Sequence, residues 1–497
     1  MKRYASIILA VIFVVLTMPV LSCSKDGGNG AGTDTGSGPV NDQGPGEDHG
    51  EDFSGDILAG LPEMDFKGET FGIYLPNNPE SVQPVGIYTE GMNGEIFNDA
   101  VYNKNIFIEE KYNVNLKIEF GPDWDSTPVD LKKNVLAGDS PYDLYLAHIN
   151  VGVTGMTADG LVRDWNDVPY VDFDKPWWNS STKDMLAING KIYWTVSSMS
   201  MPDTVVLLFN KQMLQNHGLE NPYELVRSGK WTIDKLAEIS KSVTIDLDND
   251  GKWTKNDQYG LEYGKSWQTE YLMYAMGGNM FLLDSGGNPE LNLLNPKMIS
   301  IYEKMWDLFY TGNPAFLYDQ TTGPTNNVPT IGIESDRILF CQYLLNTCRA
   351  LNAVEVDYGI VPLPKFDEKQ ENYLAFTHSS LYCIPVIATK EKLEMTGFLM
   401  EALARLGHRD ILPMYHDTVL KIKTSRDDDS SEMLDIIFGN PTDDIVNHYN
   451  LDNDVTYFFT RTMIAGKKQN YISEVEKIQD KIKIKYDEFY AKARAIN

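Results

Sequence analysis

From about Ile57 onward the chain alternates short apolar runs with stretches of helical spacing. "TFGIYL" reads as a buried strand. "GEIFNDAVYNKNIFIEEKYNV" then places Ile96, Ala100, Ile106 and Ile108 in a helical pattern that ends at Asn113, and "NLKIEF" returns to strand. "DLKKNVLAGDSPYDLYLAHI" repeats the unit, with a helix stopped at Gly138 and a strand from Tyr142 to Ala147. Strands alternating with helices predict a largely parallel sheet covered on both faces, with ligands bound beyond the carboxyl ends of its strands. His148 and Asn150 follow one such end.

Further along, "NGKIYWTV" has the form of a hairpin, and "DTVVLLFNKQML" reads as a buried strand running into a helix. In "ENPYELVRSGKWTIDKLAEISKSV" a turn leads to a helix capped by Thr232, with Ile233, Leu236 and Ile239 on one face. "QYGLEYG" is again a strand. Between that helix and this strand lies "TIDLDNDGKWTKNDQYG". Counted from Asp246, carboxylates fall at the first, third and fifth positions (Asp246, Asp248, Asp250), glycine at the sixth, Lys252 at the seventh and Asp257 at the twelfth. This is the register of a calcium loop, with the Lys252 carbonyl as backbone ligand. An EF-hand needs a helix on the far side and a dockerin a second loop. The expectation is therefore a structural Ca2+ site joining helix to strand, without a catalytic cofactor.

The ends change the picture. Lys2 and Arg3 precede an apolar run broken near Pro19, the pattern of a secretory signal over residues 1–22. "VLSC" resembles a bacterial lipobox, which implies cleavage before Cys23 and lipid on its thiol. Residues 23–56 are Gly, Asp, Ser, Asn and Pro with almost nothing apolar, a composition that reads as a flexible tether. The remaining body exceeds one simple core, so two lobes are expected. A net charge of −28 repels phosphate backbones and excludes nucleic acid as a natural partner. Cys341 and Cys348, seven apart in a stretch with helical character, would lie about 10 Å apart along a helix axis, too far for a disulfide. Those two and Cys383 read as buried apolar residues.

With these elements placed, the chain resembles the extracellular solute-binding proteins of family 1, the maltose-binding-like receptors of carbohydrate ABC importers. The resemblance rests on an ordered set: "NDAVYNKN", "VLAGDSPYDLYL", "DFDKPWWN", "INGKIYWTV", "LLFNKQMLQNHGLENPYELVRSGKWTIDKL", "DQYGLEYG", "VDYGIVPLPKFDEKQENY" and "KTSRDDDSSEMLD". It implies an α/β, two-lobed periplasmic-binding-protein-like type II fold with an interlobe ligand cleft. The first lobe would hold 57–208 plus 360–406. The second would hold 209–359 plus 407–497, including the C-terminal helices. Crossings are expected near Phe209 to Lys211, near Gly359 to Pro364, and between about Leu406 and Tyr415. The implied protein is a monomeric, lipid-anchored receptor on the extracytoplasmic face of the cell membrane, handing a sugar or oligosaccharide to the transmembrane subunits of an ABC permease.

No nucleophile elbow, zinc-protease motif or phosphate loop occurs, and the seven histidines form no metal-ligand spacing. Among 71 Asp and Glu, a catalytic pair cannot be singled out by counting, so a surface glycoside hydrolase stands as the alternative, beside a glycan-sensing lipoprotein that does not transport. A sugar receptor needs aromatic faces for pyranose rings and polar groups for hydroxyls. By position the candidate contacts are His148, Asn150, Asp203, Thr204, Glu262, Tyr263 and Trp267. Tyr343, Asn346 and Arg349, on a helix-like stretch, resemble a contact-bearing segment; Ser379 and Ser380 are weaker. Trp177 and Trp178 read as packing.

Overall fold

The computed structural model describes residues 56–77, 86–149, 151–285, 287–318, 329–345, 348, 351, 355–378, 380–416, 427–451 and 457–496. The chain opens with β1 (Glu69–Leu75), α1 (Ile96–Tyr112), β2 (Val114–Phe120), α2 (Thr127–Ala137), β3 (Leu144–Ala147), α3 (Val153–Ala158) and α4 (Ser180–Leu186). Next come β4 (Asp203–Asn210), α5 (Lys211–Asn216), α6 (Pro222–Arg227), α7 (Ile233–Val243), β5 (Tyr259–Gly264) and α8 (Gln268–Ala275). A hairpin of β6 (Phe281–Leu283) and β7 (Pro289–Leu291) leads to α9 (Pro296–Tyr310), β8 (Ala315–Tyr318) and β9 (Ile338–Leu344). The remainder is β10 (Tyr358–Val361), β11 (Ala375–His378), β12 (Leu381–Cys383), α10 (Lys390–Leu406), α11 (Leu412–Met414), α12 (Asp428–Gly439), β13 (Pro441–Thr442), α13 (Ile445–His448) and α14 (Tyr471–Arg494).

Local chemistry sets several of these boundaries. α1 stops at Asn113 and α2 at Gly138, both in the left-handed region with φ of 49° and 70°, which an asparagine tolerates and a glycine adopts freely. The Thr232 side chain accepts the Lys235 N–H and caps α7. All eight residues of β4 are buried, as expected of a central strand covered on both faces.

Two sheets carry the fold. The first has the order β12-β3-β1-β2, with β1 parallel to β2 and β3 and only β12 antiparallel. α1 and α10 pack with one face of it, and α2, α3 and the 186–196 segment supply apolar residues to the other. The second sheet runs β13-β11-β4-β9-β5-β8, with β10 also paired to β4. Here β5, β8 and β9 are mutually parallel and β4 runs against its neighbours.

Strand membership moves the expected lobe boundaries. β4 belongs to the second sheet from Asp203, so the chain has crossed before Phe209. β10 and β11 also belong to the second sheet, so the return crossing falls between His378 and Leu381, not near Gly359. A fully buried strand and a strand at a crossing look alike in sequence. The stretch holding Cys341 and Tyr343 is strand β9, not helix, because a short apolar run buried on both faces carries no period to separate the two.

The Trp177 and Trp178 pair is buried, and both indole N–H groups donate to one buried carboxylate on α10, to Glu401 Oε1 at 2.9 Å and Oε2 at 2.8 Å. Arg405 Nε also donates to Glu401, at 2.9 Å. The aromatic pair thus satisfies a buried carboxylate and ties α10 to the 177–178 segment. Among the described residues, no helix is long and apolar enough to cross a membrane.

Candidate functional site

The register of the sheets shows where a cleft forms. Leu381 of β12 pairs with Ala147 at the carboxyl end of β3, and His378 of β11 pairs with Asp203 at the edge of the second sheet where the parallel strands end. Three residues of extended chain span about 10 Å, so the carboxyl edges of the two sheets meet at this point. A second segment runs beside the first: Thr195 bridges Tyr382 in the first sheet, and Asp203 opens β4 in the second. The Tyr382 hydroxyl donates to Ser200 Oγ at 2.7 Å and ties the two together. The third connection presses on them at Gly407, where a Cβ would stand 2.0 Å from the Ser198 carbonyl oxygen; only glycine fits. A pair of sheet edges joined by three short connections is a hinged cleft.

The first sheet presents aromatic rings at its edge. Beyond β2, Trp124 is 45% exposed and its ring stands 5.2 Å from His148, just past β3. Phe120 and Tyr88 lie 5.8 Å apart, 38% and 40% exposed. Of these, only His148 is among the residues that sequence position singles out. "GPDWDS" carries the same signal that marks Trp267, an aromatic in a polar run after a strand.

The second sheet is different. Trp267, half-buried between β5 and α8, packs edge-on against Tyr271 at 5.2 Å. Glu262 is fully buried, and its carboxylate accepts the backbone N–H groups of Thr330 (2.7 Å), Ile331 (2.8 Å) and Gly332 (2.8 Å). Burial raises its pKa, and those three hydrogen bonds oppose the rise. It anchors the loop at 330–332. Tyr263 is buried with its hydroxyl donating to the Gln268 carbonyl at 2.9 Å, and Thr204 donates to the Phe376 carbonyl at 2.6 Å. Tyr343 is buried in the core of the sheet. These four side chains are buried, and Glu262, Tyr263 and Thr204 spend their hydrogen bonds on the chain itself. Asp203 stays at the crossing, largely buried. Ser380 is buried, and Asn150, Asn346, Arg349 and Ser379 lie outside the described residues, as does Cys23.

A segment that carries no sequence signal joins the two edges. Asp443 accepts the His448 Nε2 proton at 2.7 Å and the hydroxyl of Thr182, on α4, at 3.4 Å. The Thr154 hydroxyl, at the start of α3, donates to the Asn450 carbonyl at 3.1 Å. Close by, Asp444 is buried; desolvation lifts its pKa to about 7 against hydrogen bonds from the Val446 and Met280 N–H groups. Desolvation also carries Glu270, on α8, well above the carboxylate range, with Asp444 adding to the rise and Arg461 opposing it.

In the acidic turn, one oxygen each from Asp246, Asp248 and Asp250 lie within 4.8 Å of one another. Asn249 and Gly251 adopt φ of 56° and 76°, and the Gly251 N–H donates to Asp246 at 2.8 Å. The Asp250 N–H lowers the Asp248 pKa, but desolvation and the Asp250 and Asp246 carboxylates outweigh it, and the group sits above its ordinary value. Asp257 is not part of the cluster. It is buried, and its oxygens accept Leu247 N–H at 3.1 Å and Thr254 N–H at 2.7 Å, so it closes the turn from inside. The Lys252 N–H donates to Asp250 at 2.7 Å.

These features place the chain among known architectures. The fold is that of two-lobed solute-binding proteins. Similar solved structures include UgpB from Mycobacterium tuberculosis in complex with glycerophosphocholine (TM-score 0.53, 13% identity, 78% of this chain and 95% of that one). The GacH receptor of Streptomyces glaucescens, solved unliganded and with acarbose, gives a TM-score of 0.52 at 10% identity over 86% of this chain and 100% of that one. Maltose-bound MalE3 of T. maritima gives 0.50 at 16% identity over 84% and 100%. At these identities the likeness is one of fold. No family model matches the chain, and no curated protein matches it.

Proposed function

We propose that this chain is a non-enzymatic extracytoplasmic receptor that captures a sugar or oligosaccharide between its lobes and delivers it to an ABC permease. The observation that carries the reading is the meeting of two sheet edges across short crossings, with exposed Trp124, Tyr88 and Phe120 on one side and Trp267 on the other. Flat rings at a closing cleft suit the apolar faces of pyranoses, and Asp203 and His148 supply polar partners for hydroxyls. The similar structures, solved with maltose, acarbose and glycerophosphocholine, support a polyhydroxylated ligand. A lipid on Cys23 and the tether of residues 23–56 would hold the receptor, as a monomer, at the membrane.

In this reading the acidic turn is a calcium-stabilised staple between α7 and β5. Asp246, Asp248 and Asp250 give side-chain oxygens and Lys252 its carbonyl, while Asp257 orders the turn from within.

Incubation with a panel of labelled oligosaccharides, followed by mass analysis, tests the proposal. The receptor binds one class and returns it unchanged. Shortened products would instead identify a glycoside hydrolase.

A further inference from the structure

α14 touches both lobes. Its first turns belong to the second lobe: the Tyr471 ring stacks on Tyr302 of α9 at 4.9 Å and its hydroxyl donates to the Leu293 carbonyl at 3.0 Å. Further along, Tyr486 packs on Phe281 of β6 at 4.3 Å, and Val475 and Ile482 are buried. The last turn reaches the first lobe. Lys492 Nζ pairs with Asp159, the residue that ends α3, at 2.7 Å. Lys191 Nζ donates to the Ile496 carbonyl at 2.7 Å, and the Ile496 side chain stands over Gly160. Midway, the Tyr486 hydroxyl donates to the Tyr449 carbonyl at 2.9 Å, and the Tyr449 hydroxyl donates to Leu186, at the end of α4, at 2.7 Å. The C-terminal region is therefore not a part of the second lobe alone, as its sequence position suggests.

We propose that α14 is a strap between the lobes, anchored on the second and latched on the first, which biases the hinge toward the arrangement described here. A helix of 24 residues is about 36 Å long, so its two ends report on widely separated points. Rotation about the three crossings displaces Asp159 relative to α9, and a rigid helix cannot keep both sets of contacts through a large rotation. Aromatic burial holds the second-lobe end. At the first-lobe end Phe489, Tyr490 and Ala493 are buried as well, in one core with Val153 and Met156 of α3, and outside them lie polar contacts with water access, Lys492 being 60% and Asp159 34% exposed. Asp159 is also held by Lys132 of α2 at 2.9 Å, and the two lysines, Lys492 first, keep its pKa below the ordinary value. The Lys492–Asp159 pair is thus the part of the latch that salt or a single substitution loosens. This inference rests on the two-lobed fold and not on the identity of the ligand.

The test is the interlobe distance without ligand. Nitroxides are placed through Leu136→Cys on α2 (74% exposed) and Glu238→Cys on α7 (68% exposed) in the full chain carrying Cys23→Ser. The three described native cysteines are buried and do not label readily. Lys492→Glu, which sets a carboxylate against Asp159, is expected to raise the share of a second separation by about fivefold, the equivalent of about 1 kcal/mol for an exposed pair. Lys191→Met, which removes only the Ile496 contact, shifts it in the same direction by less. Both side chains lie at the surface end of the latch, so unchanged melting and circular dichroism will show that the variants fold. Folded variants that both keep the parent's distance distribution overturn the strap.

Discussion

The two edges that form the cleft are built from opposite materials. On the first sheet the residues beyond the strands are exposed rings: Trp124, Tyr88 and Phe120 stand in solvent with His148 beside them. On the second sheet, Asp203 apart, the polar candidates are committed. Glu262 holds three backbone N–H groups, Tyr263 and Thr204 each satisfy a carbonyl, and Trp267 is half-buried. A carboxylate or hydroxyl whose hydrogen bonds are taken by its own chain has little left for a ligand. Hydrogen-bond commitment separates these buried side chains from the exposed rings, and chemical type does not reveal it.

The largest effect is expected at Glu262. Glu262→Ala strands three backbone N–H groups, so unfolding free energy should drop by roughly 3–5 kcal/mol in a denaturant titration. A loss below about 1 kcal/mol would return Glu262 to the pool of ligand contacts.

The buried acids sharpen the same contrast through pH. Asp444 binds its proton more tightly folded than unfolded, with a folded pKa of about 7. Its contribution is fully present below the unfolded value of about 4 and is lost as pH rises through about 7. Relative to the parent, Asp444→Asn should therefore gain stability as pH rises from 4 to 8, by about 1.4 kcal/mol for each tenfold by which folding tightens proton binding at Asp444. A pH-independent difference between the two proteins would contradict the burial argument.

On the open edge the expected effect moves from stability to binding. Trp124→Ala should weaken the captured sugar by about tenfold, roughly 1–2 kcal/mol of stacking, while melting changes little. The smallest effect belongs to the acidic turn. Adding about 1 mM calcium should raise the melting temperature by a few degrees, about 1 kcal/mol, and Asp248→Asn should abolish the response. A melting temperature indifferent to calcium would leave the turn as a hydrogen-bonded acidic loop.

Much of the architecture is legible because local signals agree. Asn113, Gly138 and Thr232 end or begin helices where capping chemistry places them, and "TFGIYL" and "QYGLEYG" are strands. The crossings are displaced because β4, β10 and β11 join the second sheet through long-range pairing, which no local pattern encodes. β9 reads as helix because a short run buried on both faces carries no period to separate strand from helix. At the cleft, counting along the chain alone places Trp267 and His148 at strand ends. Glu262 and Tyr343 pass for ligand contacts because burial by a distant loop or a neighbouring strand has no signature in sequence. The Asp443 to Asn450 segment is invisible: its contacts with Thr182 and Thr154 span 261 and 296 residues, far beyond any local pattern.

The central claim is that the exposed ring edge and Trp267 together grip a sugar. Calorimetric titration of one oligosaccharide panel against the parent, Trp124→Ala and Trp267→Ala tests it most directly. The account predicts one ligand class that the parent binds and both variants bind about tenfold more weakly, with folding intact. A panel member bound equally by all three proteins would contradict it.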